Sequence, residues 1–261
     1  AVPEHEPFTV DHLTHYQAVE ALLTALRQGD SSAALARVVN ERVGRGEWPL
    51  AGFADPPQRL LQETAESLWQ EAADWRSGEE ESPRLLVWQG VIANRALQIE
   101  HAVKDIRRGP DGMRRLWQFT ASRLRTKDNK MSSWHPLLQP WLQHVLLAVC
   151  GEAVPTRVLS PAGTVDWPAL SADVATAWWQ QLLACWLQGQ VRALPLEAKT
   201  AFAWAVEAVK ADDDDKALDA AATVYDGSGF GMVSPPADKA PGGWIWPDFD
   251  ALAASGEFAD I

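Results

Sequence analysis

The stretch from Arg84 to Thr120 keeps a different hydrophobic rhythm from the rest of the chain, and it limits the folds open to it. Arg84-Leu-Leu-Val-Trp-Gln89 is a short apolar run, and Gln98-Ile-Glu-His-Ala-Val103 partly alternates, as a half-buried strand does. Gly109-Pro-Asp-Gly112 is a strong turn signal. Arg114–Thr120 then returns as a strand. The expectation is strands over 84–89, 96–103 and 114–120, making a short antiparallel meander joined across 90–95 and 109–112.

Helical spacing surrounds this block. Leu13, Tyr16, Val19, Leu22, Leu23 and Leu26 mark a helix from Val10 to Arg27, ended by Gln28-Gly29-Asp30. Ser31 or Ser32 caps a second helix through Val43. Residues 44–53 form a Gly/Pro loop, and Pro56 starts a long helix through Trp75. Residues 77–83 are a charged linker. Ser132 or Ser133 caps a helix through Val149, in which Pro140 marks a kink or the true start. A last strand is expected over Thr156–Leu159. Ser171 caps a helix to Gln188, closed by Gly189. Leu196–Val209 and Ala217–Tyr225 are two more helices, separated by an acidic run, Asp212–Lys216, read as a solvated loop. Residues 227–243 read as a mobile Gly/Pro tail and Trp244–Asp250 as a packing motif. The fold class is α/β: a mostly helical domain around a small mixed sheet.

Composition narrows the functions. With 261 residues, 47% of them apolar, the chain is globular, and no apolar run reaches membrane-spanning length. Its opening, Ala1-Val-Pro-Glu-His-Glu6, has no signal-peptide character and reads as the start of an excised fragment or of a last domain. Cys150 and Cys185 read as buried thiols in a reducing, cytoplasmic setting. Most of the 14 tryptophans are expected to be core anchors.

The net charge of −12 argues against a free-standing duplex binder. Yet between Lys104 and Lys130 stand nine basic residues (Lys104, Arg107, Arg108, Arg114, Arg115, Arg123, Arg125, Lys127, Lys130) against three acidic ones. That segment is +6 and the rest of the chain −18. A charge run is usually only a solvated face, but this one overlies the strands.

Those strands resemble the framework of PD-(D/E)xK nucleases, whose first strand ends in Gly-x-x-Asp and whose second carries hydrophobic-x-Asp-Tyr-Lys-Thr. Here Gly90-Val-Ile-Ala93 puts Ala93 at the first carboxylate, and Leu116-Trp-Gln-Phe-Thr120 puts Gln118 at the second and Thr120 at the lysine. Two carboxylates are what hold Mg²⁺ against a scissile phosphate. The resemblance therefore implies a degenerate nuclease with no catalytic residue, metal or cofactor of its own. Glu100, Asp105 and Asp128 are the carboxylates through which a metal site could have migrated, although none has the spacing that two neighbouring strand ends need. Other chemistry is not signalled. His12 and His15 lack a third ligand and read as a helix surface. There is no Gly-x-x-x-x-Gly-Lys-Ser/Thr loop and no Gly-x-Ser-x-Gly elbow. His144, on an apolar helix face, reads as a hydrogen-bonded core histidine.

Four segments resemble one family in order. They are Glu6-Pro-Phe-Thr-Val-Asp-His-Leu-Thr-His-Tyr-Gln17, Gly46-Glu-Trp-Pro-Leu-Ala-Gly-Phe53, Leu138-Gln-Pro-Trp-Leu-Gln-His-Val-Leu-Leu-Ala-Val-Cys-Gly151, and Leu194-Pro-Leu-Glu-Ala-Lys-Thr-Ala-Phe-Ala-Trp204 with Ala222-Thr-Val-Tyr-Asp-Gly227. Together they look like the C-terminal domain of RecC, the gamma subunit of exodeoxyribonuclease V. Residues 104–134 and the tail after Phe230 depart from that pattern. The resemblance implies one domain over 1–261, with a helical part at 1–80, a nuclease-like core at 84–230 and a tail at 231–261. It also implies a role beside RecB-like and RecD-like subunits in double-strand-break repair, guiding a duplex end or its separated strands. The DNA-facing candidates are Arg114, Arg115, Arg123, Arg125, Lys127 and Lys130, acting on phosphates by charge. The alternatives are a nuclease with migrated ligands and a helical module that only docks other subunits. Basic residues clustered on one concave face would favour a DNA role, and basic residues dispersed around the domain protein docking only.

Overall fold

The computed structural model describes residues 8–27, 33–126, 134–211, 213–227, 235–238 and 242–259. The chain divides into two compact units, one of residues 1–89 and 98–175, the other of 90–97 and 176–261. The division runs through the tip of a hairpin and through a helix, whereas the sequence reading places its boundaries at 80–84 and 230–231.

In the first unit, helix α1 (His12–Arg27) starts at Asp11, whose carboxylate accepts from the Leu13 and Thr14 backbone N–H groups at 2.8 and 3.0 Å. This satisfies two donors that the first turn leaves without intrahelical partners. Helix α2 (Ala34–Gly44) follows, preceded by Ala33. The serines expected to cap it lie outside the described residues. Helix α3 (Asp55–Glu71) carries Pro56 and Pro57 in its first turn, where a missing N–H costs nothing. The expected run through Trp75 is broken: at Ala72 ψ relaxes to −7°, and a short α4 (Ala73–Arg76) restarts. Val19, Leu22, Leu23, Val38, Leu61 and Leu68 form one core with Trp48, closed on the sheet side by Trp117 and Leu159.

The sheet contains β1 (Glu79–Glu80), β4 (Ile106–Arg108), β5 (Arg114–Phe119), β6 (Thr156–Ser160) and β7 (Gly163–Trp167), in the order β1-β4-β5-β6-β7. Strands β2 (Arg84–Ile92) and β3 (Arg95–Val103) form a separate two-stranded ladder. The three-strand meander is thus corrected. The Gly109–Gly112 turn returns β5 onto the short β4, pairing Ile106 with Leu116 and Arg108 with Arg114, not onto β3. The link between β2 and β3 is also tighter than expected, with Ala93 and Asn94 both left-handed at φ 48° and 62°, the backbone that two-residue hairpin turns demand.

Helix α5 (Leu138–Val149) connects β5 to a parallel β6. Pro140 falls in its first turn, so it marks the start and not a kink; Ser132 and Ser133 lie outside the described residues. Strand β6 has apolar residues on both faces. Leu159 joins the α1–α3 core, while Val158 packs with Leu124 and Leu137. A strand buried on both faces reads as a continuous apolar run. Its antiparallel partner β7 was missed.

Helix α6 (Ala172–Gly189) leads into the second unit, whose helices are α7 (Ala198–Ala211), α8 (Asp214–Asp226), α9 (Gly242–Ile245) and α10 (Phe249–Ala253). The acidic run is not simply a loop. Asp213 caps α8, its carboxylate accepting from the Lys216 backbone N–H, and Asp214 and Asp215 form the first turn, where negative charge suits the helix dipole. Tyr225, Phe249, Leu252 and Phe258 build this unit's core. The Tyr225 hydroxyl donates to the Trp246 carbonyl at 2.8 Å. The Gly/Pro stretch lies largely outside the described residues.

Candidate nucleic-acid interface

The carboxyl ends of parallel strands open outward, and ligands of open α/β sheets gather there. Here β5 and β6 end beside α1, and two depressions flank that helix. One is a cleft of about 380 Å³ lined by Tyr16, Glu20, Arg27, Asp105, Gln118, Thr120 and His135, among others. The other is a groove of about 770 Å³ between α1, the start of α3 and residues 121–123. Tyr16 and Ser122 line both.

The cleft holds two of the three positions that the sequence reading takes as degenerate. Gln118 donates its amide to Gln143 on α5. The Thr120 hydroxyl accepts from the Ser122 backbone N–H at 3.2 Å. Ala93 is not among the cleft residues; it sits in the β2–β3 turn. The carboxylates lining the cleft are Glu20 and Asp105. Asp105 is left-handed at φ 69° and forms an ion pair with Arg27. The Arg27 guanidinium lies 5.3 Å from the Trp117 ring and 5.4 Å from that of Phe119. Burial pulls the Arg27 pKa down from its ordinary value. Glu100 lies on β3, where it accepts from Gln98 and is not a cleft residue. Asp128 lies outside the described residues. No group of three or more His, Cys, Asp or Glu that could hold a metal occurs among the described residues.

The six basic candidates do not share one environment. Arg114 donates through Nε to Glu81 at 3.0 Å and through its terminal nitrogen to Glu152. Glu81 also pairs with Arg108, and Glu152 with Arg84. Burial alone would lower the Arg114 pKa, but hydrogen bonds to Glu152 and Glu81 more than reverse that and raise it. The same contact with Arg114 holds the Glu152 carboxyl below the usual carboxylate range. Arg115 pairs with Asp111, and Arg107 with Glu80. Along β4 and β5 the arginines are therefore matched to acids.

Two more candidates stand past the end of β5. Arg123 is exposed and lines the groove. Arg125 donates its backbone N–H to Ala162, and its side chain lies over Gly163 so closely that a Cβ there would meet its Cδ at 2.6 Å. Both make further contacts. Lys127 and Lys130 lie outside the described residues.

His144 is the core histidine that was expected. It is buried, its Nδ1 lies 2.8 Å from the Thr156 hydroxyl, and burial lowers its pKa. His12 and His15 both line the groove. Sequence reasoning missed Arg27, Glu20 and Gln143. A basic residue in a helix's last turn was the only signal for Arg27, and nothing in the sequence tied it to Asp105.

A family model of the RecC C-terminal domain matches residues 1–208. The chain belongs to the RecC C-terminal domain family. Among curated proteins none matches the sequence. The family is that of a RecBCD-complex subunit in DNA repair and recombination. The match takes in both depressions, the whole sheet and the helices through most of α7; α8 and the elements after it lie beyond. Among the described residues of this RecC-family chain, no helix is long and apolar enough to cross a membrane.

Proposed function

We propose that the chain is a non-catalytic, DNA-guiding scaffold of a RecBCD-type helicase–nuclease. It works in the cytoplasm beside RecB-like and RecD-like subunits, on a duplex end or its separated strands. The strand-end cleft is read as a PD-(D/E)xK-type site that has lost its chemistry. One observation carries this reading. Where two-metal or one-metal phosphoryl chemistry needs clustered carboxylates, the cleft offers Gln118, hydrogen-bonded to Gln143, with Thr120, the exposed Glu20 on α1 and an aspartate already matched to Arg27. A carboxylate engaged by a guanidinium is a poor ligand for a hard cation, because the cation must displace the arginine.

DNA contact is assigned to the segment beyond β5, through Arg123, Arg125, Lys127 and Lys130. Arg114 and Arg115, which sequence reasoning groups with them, serve the fold first because each is held by carboxylates. Contacts of this type recognise phosphate and carry no base preference.

The test is incubation of the chain with a tailed duplex in Mg²⁺ or Mn²⁺, with cleavage and binding read in the same samples at low salt. The reading expects no cleavage and binding that fades as salt rises. Cleavage abolished by chelator would overturn it and direct attention to Glu20, Asp105 and Asp128.

A further inference from the structure

Within the strand-end cleft, Arg27 is positioned by groups other than the anion it pairs with. It stands in the last turn of α1. Its guanidinium lies 5.3 Å from the ring of Trp117 and 5.4 Å from that of Phe119. These are alternate residues of β5, and alternate residues of a strand share one face. Two rings on that face attract the cation, and they do so whether or not a carboxylate is beside it. Arg27 and Asp105 both line the cleft, with side chains 23% and 26% exposed. A solute entering the cleft therefore meets the pair.

Asp105 stands in the two-residue link between β3, which ends at Val103, and β4, which starts at Ile106. Its backbone is left-handed at φ 69°. Strands on both sides fix that backbone, so the carboxylate leaves Arg27 by turning about its own side-chain bonds, from one staggered rotamer to another. A guanidinium receives carboxylate and phosphate through the same planar fork of donors. The Asp105 carboxylate thus stands where the oxygens of a phosphate would. The hydroxyl residues Tyr16, Thr120 and Ser122 line the same cleft, and hydroxyls are common partners of phosphate oxygens.

We propose that Asp105 is a built-in shield on a phosphate site, and that Arg27 receives a backbone phosphate of DNA in the cleft when the Asp105 carboxylate turns away. This rests on the DNA-guiding reading, and it adds to that reading a cation inside the cleft and a carboxylate that holds its affinity down. Each phosphate is taken in exchange for a carboxylate, so the guanidinium has a partner before and after. Such a contact lets a strand move past, where an open cation would hold it.

The experiment titrates a fluorescein-labelled tailed duplex with the 261-residue chain over a range of salt. Wild type is compared with Asp105→Gly, Asp105→Asn, Arg27→Gln and Arg27→Gln/Asp105→Gly. Glycine and asparagine adopt a left-handed backbone readily, so the Asp105 variants keep the link between β3 and β4. Both should bind about tenfold tighter than wild type, the scale of one charge-assisted contact. Their slope of log K against log salt should be steeper by about one. Set against Arg27→Gln, the double variant should show no gain. No gain in either Asp105 variant would overturn the proposal. So would an equal gain without Arg27, which would mean only that a repelling charge had gone. If urea unfolding shows that Arg27→Gln does not fold, the slope of the Asp105 variants decides, and an unchanged slope overturns the proposal. Stabilisation of Asp105→Gly against urea by inorganic phosphate, over chloride at matched ionic strength, with no gain for the duplex, would assign the site to a free anion and also overturn it. The wild-type titration separates this proposal from the reading beneath it. Wild-type binding with no gain in the Asp105 variants removes the shield and leaves the DNA-guiding role. Binding seen only in the Asp105 variants, and lost with Arg27, supports the shield and counts against that role. Binding by none of them removes both.

Discussion

The two ends of strand β5 carry the same kind of residue and use it differently. At its start, Arg114 and Arg115 sit in a ladder with Arg107 and Arg108, where each guanidinium faces Glu80, Glu81, Asp111 or Glu152. Past its end, Arg123 lines the groove and the Arg125 side chain lies over Gly163. A count along the sequence adds these arginines into one basic run. In the fold, the first group is cancelled by acids brought in from the linker before β2, the β4–β5 turn and the end of α5. Local charge in a sequence is therefore not surface potential. What decides it is which carboxylates the topology delivers to the same face.

The largest effect that could break this contrast is removal of Glu81. Glu81 is 14% exposed and serves Arg108 and Arg114 together. Glu81→Ala is expected to cost about 1–3 kcal/mol in urea unfolding, because the partly buried Arg114 loses one of its two carboxylate partners. It should also strengthen DNA binding at low salt, since the ladder's arginines are released. Unchanged stability would mean that the ladder is only surface decoration.

The next effect lies at the other end. Gly163 has φ +100°, and a Cβ there would strike the Arg125 side chain. Gly163→Ala is expected to cost about 1–2 kcal/mol and to weaken DNA binding by displacing Arg125, both read on one purified variant. Reduced stability with intact binding would remove Arg125 from the interface.

A smaller effect is pH-dependent. Glu152 has its pKa depressed by the hydrogen bond from Arg114. Its contribution to stability is therefore complete above the ordinary glutamate value and is lost as pH falls through the depressed folded value. Glu152→Gln should flatten the acid limb of the stability curve and leave its neutral region sloped as before. A parallel shift of the whole curve would contradict this. The smallest effect expected is Arg123→Ala, within about 0.5 kcal/mol of wild type in stability while weakening DNA binding.

Much of this fold could be read from the sequence where local chemistry acts alone. The spacing of Leu13 to Leu26 gave α1, and Asp11 beside it supplied a cap. Gly109-Pro-Asp-Gly112 gave the turn into β5. Ser171 lies at the start of α6, with its hydroxyl 3.4 Å from the Val174 N–H. Where several residues share a decision, the reading failed. Strand β4 is only Ile106–Arg108 and exists because β5 folds back on it. Strand β7, Gly163–Trp167, depends on pairing with β6 and has little apolar pattern of its own. The left-handed Ala93 and Asn94 carry no glycine to announce them. At the cleft, Gln118 and Thr120 drew notice in the sequence through the motif they were compared with, and both line it. The Arg27–Asp105 pair drew none, because its partners are far apart in sequence and meet only when α1 packs across the sheet.

The contrast between the two ends of β5 is tested most directly by the salt dependence of DNA binding. A tailed duplex would be titrated over a range of salt with wild type, with Arg114→Ala/Arg115→Ala and with Arg123→Ala/Arg125→Ala. Removing a side chain that neutralises one phosphate should lower the slope of log K against log salt by about one. The account predicts a reduced slope for the Arg123/Arg125 variant and the wild-type slope for the Arg114/Arg115 variant. The reverse pattern, with the slope falling only when Arg114 and Arg115 are removed, would contradict it.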